Sequence, residues 1–255
     1  MGKRSDNKHL WDASKPTPPT TLDYALAYAR LGWHVLPVWS VDSHGQCRCG
    51  RPNTEQGHKA GKHPHSQLVP HGQHEATTEE SKIREWWATD PDAGVGVALS
   101  ASGLLALDID PQNGGREALE ALEAEHGVLH SDCTALTQGG GEHRLFRADP
   151  QVTYPGSLGR GLDLKHNGYI CVAPTLGPLG VYRWAPGRSP SDSEPSPLPS
   201  FIADKARTPV NYSLTERGGV PVATAQINQA MEQVIASCPQ QYLWGYARYK
   251  QPRNA

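Results

Sequence analysis

The spacing of apolar positions changes several times along the chain. Leu22, Ala25, Leu26 and Ala29 recur at three- and four-residue steps, which predicts a helix over Thr21–Leu31 stopped by Gly32. His34–Trp39 is an apolar run of strand length. Thr77-Thr78-Glu79-Glu80 has the spacing of a capping box, in which the Thr77 hydroxyl accepts from a free helix N–H and Glu80 reaches back, and it predicts a helix to about Trp87. Pro91-Asp92-Ala93 turns the chain into two apolar strands, Val95–Leu99 and Gly103–Asp108. Arg116–His126 is amphipathic, with Leu119 and Leu122 facing inward. The pattern then becomes that of strands at Cys133–Thr137, His143–Arg147, Gly161–Lys165, Tyr169–Ala173 and Val181–Trp184.

Three stretches carry no such period. Residues 1–19 are polar and proline-rich and read as disordered. Residues 42–75 are irregular and rich in His, Gly and Pro; a loop of that length inside a compact domain suggests ligation or a functional insertion. Pro186–Pro209 holds six prolines and several serines, a linker composition. After it Val222–Ser237 has a helical pattern in Ile227, Met231, Val234 and Ile235, followed by Tyr242-Leu243-Trp244. The expected organisation is an α+β unit over 20–204 with an insertion at about 42–75, then a linker and helical tail over 205–255.

Composition narrows the classes. With a formal net charge of -2 the chain is no polycation coating nucleic acid, so any polyanion site must be local. No run approaches the roughly 18 apolar residues of a membrane span. The opening MGKRSDNKHLWDASKPTPPT has no apolar secretory core. Five cysteines in 255 residues make no disulfide scaffold. The expectation is a cytoplasmic protein without membrane partners. Charge is nonetheless uneven. Residues 75–125 carry twelve Asp/Glu against Lys82, Arg84 and Arg116, whereas Arg144, Arg147, Arg160, Lys165, Arg183 and Arg188 dominate 138–188. The two segments read either as solvated faces or as a metal-binding edge facing a phosphate-binding edge.

Leu104-Leu105-Ala106-Leu107-Asp108-Ile109-Asp110 is the most informative segment. Side chains alternate along a strand, so Asp108 and Asp110 emerge on one face about 6–7 Å apart. Adjacent carboxylates repel unless a cation sits between them, and oxygen ligands with open positions suit Mg²⁺ or Mn²⁺. The plainer reading is a strand running into an Asx-turn loop. Nucleotidyl transferases, DxD glycosyltransferases and haloacid-dehalogenase-type phosphatases all share such a pair. The phosphatases usually want Thr or Val where this chain has Gln112.

Two further segments add charge and backbone donors. Gln138-Gly139-Gly140-Gly141-Glu142-His143-Arg144 brings a possible anion nest to a strand that opens on His143. A flexible hairpin with an ordinary surface histidine is the bland alternative. In Gly161-Leu162-Asp163-Leu164-Lys165 the leucines face one way and Asp163 with Lys165 the other, either as a surface ion pair or as a third metal carboxylate beside a phosphate-binding cation. Arg144, Arg147 and Lys165 are all candidates for neutralising phosphate.

Half of the twelve histidines lie between His44 and His74. Cys47, Cys49, His58 and His63 follow the spacing C-x-C-x8-H-x4-H, whose thiolate and imidazole donors suit tetrahedral Zn²⁺. His44 and His65 compete for the same role, and an exposed His-rich loop with a thiol pair is the alternative. Cys133, Cys171 and Cys238 sit in apolar patterns and read as structural.

In order, these motifs resemble a known family. Asp-x-Asp at a strand end, the glycine turn with His-x-x-Phe, and Gly-Leu-Asp followed by Gly-Tyr-x-x-Val-Ala-Pro are similar to the archaeo-eukaryotic primase superfamily. They are most similar to the bifunctional primase–polymerase domains at the N-termini of phage and plasmid replication proteins. Ala27–Val38, the Cys-x-Cys-Gly…Gly-Lys-His-Pro stretch and Glu85-Trp86-Trp87 fit as well, so the resemblance spans about 20–204. It implies an RRM-like catalytic sheet packed with a second α/β unit, and template-dependent nucleotidyl transfer. Asp108, Asp110 and Asp163 would hold two Mg²⁺ or Mn²⁺ ions, and His143 would contact the incoming triphosphate. Single-stranded DNA template, primer and NTP or dNTP would be the ligands, with a structural Zn²⁺ and a helicase domain or partner. Relatives often carry a third Cys in the loop, for which His58 would stand in, and a small hydroxyl residue where this chain has Gly141. Another DxD-type phosphoryl or glycosyl transferase and a non-catalytic zinc module binding nucleic acid are the rival functions.

Overall fold

The computed structural model describes residues 18–207 apart from Pro150, Gln151, Thr153 and Pro155. The expectations for the first 17 residues and for the helix at Val222–Ser237 lie outside the described residues. Helix α1 (Thr21–Arg30) starts from a reciprocal cap. The Thr20 hydroxyl accepts from the Asp23 N–H, and the Asp23 carboxylate accepts from the Thr20 N–H. Strand β1 (His34–Val38) follows. Helix α2 (Glu80–Thr89) begins later than the Thr77 box predicts, and no side chain caps it. Thr77 exchanges both backbone hydrogen bonds with Val35, which keeps it extended, so its hydroxyl accepts only from the Glu79 N–H. The capping box therefore belongs to α1.

Then come β2 (Gly94–Ala98), β3 (Leu104–Ile109), α3 (Gly115–His126), β4 (Cys133–Leu136), β5 (Glu142–Arg147), β6 (Leu162–Lys165) and β7 (Tyr169–Val172). The expected strand Val181–Trp184 is divided. β8 (Leu176–Gly177) and β9 (Gly180–Val181) pair as a hairpin, while β10 (Arg183–Trp184) crosses to β4. Two larger sheets result, β1-β2-β7 and β10-β4-β5-β3-β6, with every neighbour antiparallel. The fold is α+β.

Side-chain alternation divides the core. One cluster joins α1 and α2 to Val35, Val95, Val97 and Val172 of the first sheet and to Leu104, Ala106, Cys133 and Leu145 of the second. Tyr28, fully buried here, donates its hydroxyl to Ala173 O and accepts from Trp184 Nε1. On the opposite face of the five-stranded sheet Leu105, Leu107, Ile109, Phe146, Leu162 and Leu164 pack with Leu119 and Leu122 of α3. The segment read as a linker is packed over its described part: the Arg147 N–H donates to Ser196 O, and helix α4 (Ser200–Arg207) buries Ile202 in that second cluster. Proline richness signals missing donors, but this segment meets the sheet through a carbonyl and an apolar side chain.

Residues 42–75 are irregular except for a short 3-10 turn at Gly72–Glu75. They are strapped to β1 by bonds from the Trp39 N–H to His63 O and from the His65 N–H to Pro37 O. Among the described residues no helix is long and apolar enough to cross a membrane.

Candidate active site and metal centre

Strand β3 lies between β5 and β6, and its register aligns chemistry scattered along the sequence. Trp184, Ala135, His143, Asp108 and Asp163 form one row across five strands. Side chains along a row share a face. Farther along the strands this face is apolar, carrying Ala106 and Leu145 into the first core cluster, so the row is its polar end. Lys165 joins it because it stands two residues after Asp163, while Leu162 and Leu164 turn to the other cluster.

Asp108 is the centre of the group. Lys165 Nζ donates to its Oδ2, and His143 Nε2 stands 3.3 Å from its Oδ1. Burial by itself would raise the Asp108 pKa. The hydrogen bond and charge of His143, with the charge of Lys165, outweigh that and hold the carboxyl well below the usual carboxylate range. The Asp163 carboxylate, on a strand whose backbone is paired with β3, makes no side-chain hydrogen bond or ion pair among the described residues. Two opposed carboxylates, one with its charge unanswered, are a hard-oxygen donor set of the kind that suits Mg²⁺ or Mn²⁺.

Asp110 follows the strand end and has different partners. Its carboxylate accepts from the Gln112 N–H at 3.0 Å and from Asn113 Nδ2 at 2.7 Å, as an Asx-turn does. Its backbone is pinned on both sides, the N–H to Gly161 O and the carbonyl from the Gly115 N–H, each at 2.8 Å. Asp110 therefore borders the row without touching Asp108's partners.

Arg144 does not join the site. It alternates to the α3 face, where it donates to Glu142, Glu123 and Leu129 O. Sequence adjacency to His143 made it a nucleotide-binding candidate, but the strand pleat turns it to the other side of the sheet. Its three acceptors give it a bracing role between β5 and α3.

Three further residues lie beside the site, of which Gln138 entered the sequence analysis only as the first residue of the glycine-rich turn. Buried Tyr182 has its ring 6.5 Å from that of His143, and burial pushes its phenol pKa up. Gln138 accepts the Leu179 N–H through Oε1. Thr137 Oγ1 accepts the Gly141 N–H at 3.0 Å, and a Cβ built on Gly141 would lie only 3.2 Å from that oxygen and 2.5 Å from Ile109 O. A side chain is thus excluded at Gly141, and Thr137 supplies the hydroxyl of this turn. Only contact across strands identifies these residues; along the sequence they read as turn and core.

The loop holds a second group. One ligand atom each from Cys47, Cys49, His58 and His63 lies within 4.8 Å of the others, the one such cluster among the described residues. Cys47 Sγ–His63 Nε2 and Cys49 Sγ–His58 Nε2 are each 3.3 Å, and His58 Nε2–His63 Nε2 is 3.2 Å. Tetrahedral zinc with its usual bond lengths sets ligands about 3.3–3.8 Å apart, so the four residues fit the ion. His58 Nδ1 is 2.9 Å from Pro52 O, which orients the ring and leaves Nε2 for a metal. Burial lowers the His63 pKa and so favours the neutral, ligating imidazole. The competing histidines are accounted for: His44 is exposed, and His65 stacks on Trp39 at 3.7 Å with Nε2 3.3 Å from Asp90. Arg48, between the two cysteines, ties the loop to Asp90 at 2.9 Å.

Comparison with known proteins gives one family. The family model described as bifunctional DNA primase/polymerase, N-terminal, matches residues 25–201, which covers every residue of both groups. No curated protein matches the chain significantly.

Proposed function

This chain belongs to the bifunctional DNA primase/polymerase family, and we propose that it is a DNA-directed primase and polymerase acting in phage or plasmid DNA replication. DNA and nucleotides are the substrates that the family implies. The observation that carries the catalytic assignment is the cross-strand opposition of Asp108 and Asp163, with Asp110 pinned at the same strand end.

Asp108, Asp110 and Asp163 would hold two divalent ions. Bound there, Mg²⁺ or Mn²⁺ would lower the pKa of the attacking hydroxyl and neutralise charge on the leaving pyrophosphate. Lys165 and His143 flank Asp108 and would be the cationic and imidazole groups that meet an arriving triphosphate. His143 is buried and keeps Asp108 oriented, whereas the Lys165 side chain is 40% exposed and reaches solvent-borne phosphate. In the reaction the 3′-hydroxyl gives its proton to solvent, its oxygen forms a bond to the α-phosphorus, the bond from that phosphorus to the oxygen bridging it to the β-phosphate breaks, and pyrophosphate leaves with that electron pair.

The Cys47–Cys49–His58–His63 group is a structural Zn²⁺ site in this reading. The five-stranded sheet with α3 is the RRM-like unit and the β1-β2-β7 sheet with α1 and α2 the second unit. We assign 20–204 to the catalytic domain and 205–255 to a linker and tail leading to a helicase domain or partner.

The test measures nucleotide incorporation with template, nucleotide and divalent metal each omitted in turn. Synthesis that needs all three supports the proposal. Transfer without template would indicate another DxD-type transferase, and DNA binding without any synthesis a non-catalytic zinc module.

A further inference from the structure

We propose that the β8–β9 hairpin is an apolar finger that packs against unpaired bases of single-stranded template beside the carboxylate row, an inference that rests on the primase/polymerase reading. The large apolar side chains left exposed among the described residues are Val128 at 83%, Leu176 at 39%, Leu179 at 72% and Val181 at 38%. Three of the four belong to this one short hairpin. Isolated exposed apolar residues are ordinary, but a cluster on one short element marks a contact.

The finger is held rigidly. Leu176 faces Val181 and Gly177 faces Gly180 in register. At the tip the Leu179 N–H donates to Gln138 Oε1 at 2.8 Å, and at the base the Tyr182 N–H donates to Thr175 O at 2.9 Å. On one side the Cys/His loop presses against it: a Cβ on Gly61 would lie 2.9 Å from Gly177 Cα and 3.1 Å from Leu176 O, so only glycine admits this approach. The hairpin is thus wedged between the metal loop and the glycine-rich turn that leads into His143. Its ordering cost is already met by folding, which favours binding by its apolar tip.

Its surroundings select the occupant. Tyr182, the residue after Val181, packs beside His143, so the finger stands next to the row. Lys62, adjacent to Gly61, and Arg183, two residues beyond Val181, are exposed and in no ion pair among the described residues. An apolar surface flanked by cations matches a nucleic acid single strand, whose base faces are apolar and whose backbone is anionic. Three side chains are far fewer than the interface of about 1,000 Å² that a stable protein partner needs.

The experiment measures binding of the full chain to fluorescent single-stranded DNA over a salt series, together with primer extension. Leu179→Ser and, as a shape-conserving second variant, Val181→Thr change exposed positions; melting curves verify that each is folded. We expect affinity to fall about three- to ten-fold at every salt concentration, with an unchanged slope of log affinity against log salt, because apolar contacts release no counterions. Lys62→Ala should instead flatten the slope. Affinity within two-fold of wild type for both folded variants overturns the finger, as does a loss accompanied by a flatter slope. If wild type extends primers while these variants bind normally, only the finger is wrong. If wild type neither binds single strands nor extends primers, the primase/polymerase reading itself falls.

Discussion

Asp108 on β3 and Asp163 on β6 are direct cross-strand partners. Like charges opposed in this way work against folding by about 0.2–1 kcal/mol. Asp163→Asn should therefore raise or hold thermal stability while lowering template-directed synthesis by roughly 10³-fold, the scale of several kcal/mol of lost transition-state charge stabilisation. Asp108→Asn should be equally inactive but less stable, since it weakens acceptance from both Lys165 and His143. Melting curves and incorporation on the same preparations decide. Normal synthesis by either variant would remove these carboxylates from the mechanism.

The two cations near His143 should separate in their effects. Arg144→Leu leaves Glu142, Glu123 and Leu129 O without their donor. It should cost about 1–3 kcal/mol of stability and leave the nucleotide concentration for half-maximal rate unchanged. Lys165→Met should raise that concentration, and its cost in stability should be the smaller one, since Asp108 keeps His143 as a partner. A nucleotide defect in Arg144→Leu at matched folding would return that arginine to the site.

Much of this site was legible along the chain because strands encode faces. Period-two alternation in Leu104–Asp110 and Leu162–Lys165 separates Asp108, Asp163 and Lys165 from the leucines without knowledge of the pairing, and C-x-C-x8-H-x4-H supplies the four members of the metal cluster. Register is another matter. Alternation alone does not say that β3 lies between β5 and β6, so neither the row from Trp184 to Asp163 nor the Asp108–Lys165 pair follows from it. The failures have the same origin. Thr77 has the chemistry of a helix cap, but a bridge to Val35 forty-two residues away in sequence holds it extended. Pro186–Pro209 has the composition of a linker, but within its described part β5 offers Ser196 a donor. Long-range partners override local propensity in both cases.

Cysteine reactivity should divide along the same lines. Burial pushes the Cys133 and Cys171 thiols up to about 12, so near pH 8 both keep their protons and alkylate slowly. Because the unfolded chain ionises these thiols near pH 8.5 and the folded chain does not, they erode stability as pH rises from there towards about 12. Cys47 and Cys49 should be protected by zinc and become reactive after chelation. Peptide mass spectrometry after timed alkylation, with and without chelator, reads all four. Rapid modification of Cys133 or Cys171 in folded protein would contradict their placement in the core.

Zinc removal should separate starting a chain from lengthening one. Initiation must hold two free nucleotides on a template, whereas extension begins from an annealed primer whose base pairs already supply stability. The cations of the loop differ in how free they are to hold a nucleotide, since Arg48 is paired with Asp90 and Asp92, and Arg51 with Glu55. Lys59 and Lys62 are left exposed to grip a 5′ triphosphate or the template, contacts that depend steeply on salt. Cys47→Ser combined with Cys49→Ser should abolish stoichiometric zinc and cut primer synthesis by at least about ten-fold, with extension of a supplied primer falling much less. Lys59→Ala with Lys62→Ala should reproduce the initiation defect while retaining zinc, because neither side chain is a ligand. Both activities are measured on one template, with metal content determined on the same samples. Equal loss of initiation and extension in the cysteine variant, together with a cooperative drop in melting temperature, would reduce the zinc site to a staple holding residues 42–75 on β1. Full zinc retention would shift the ligand set to other histidines of the loop.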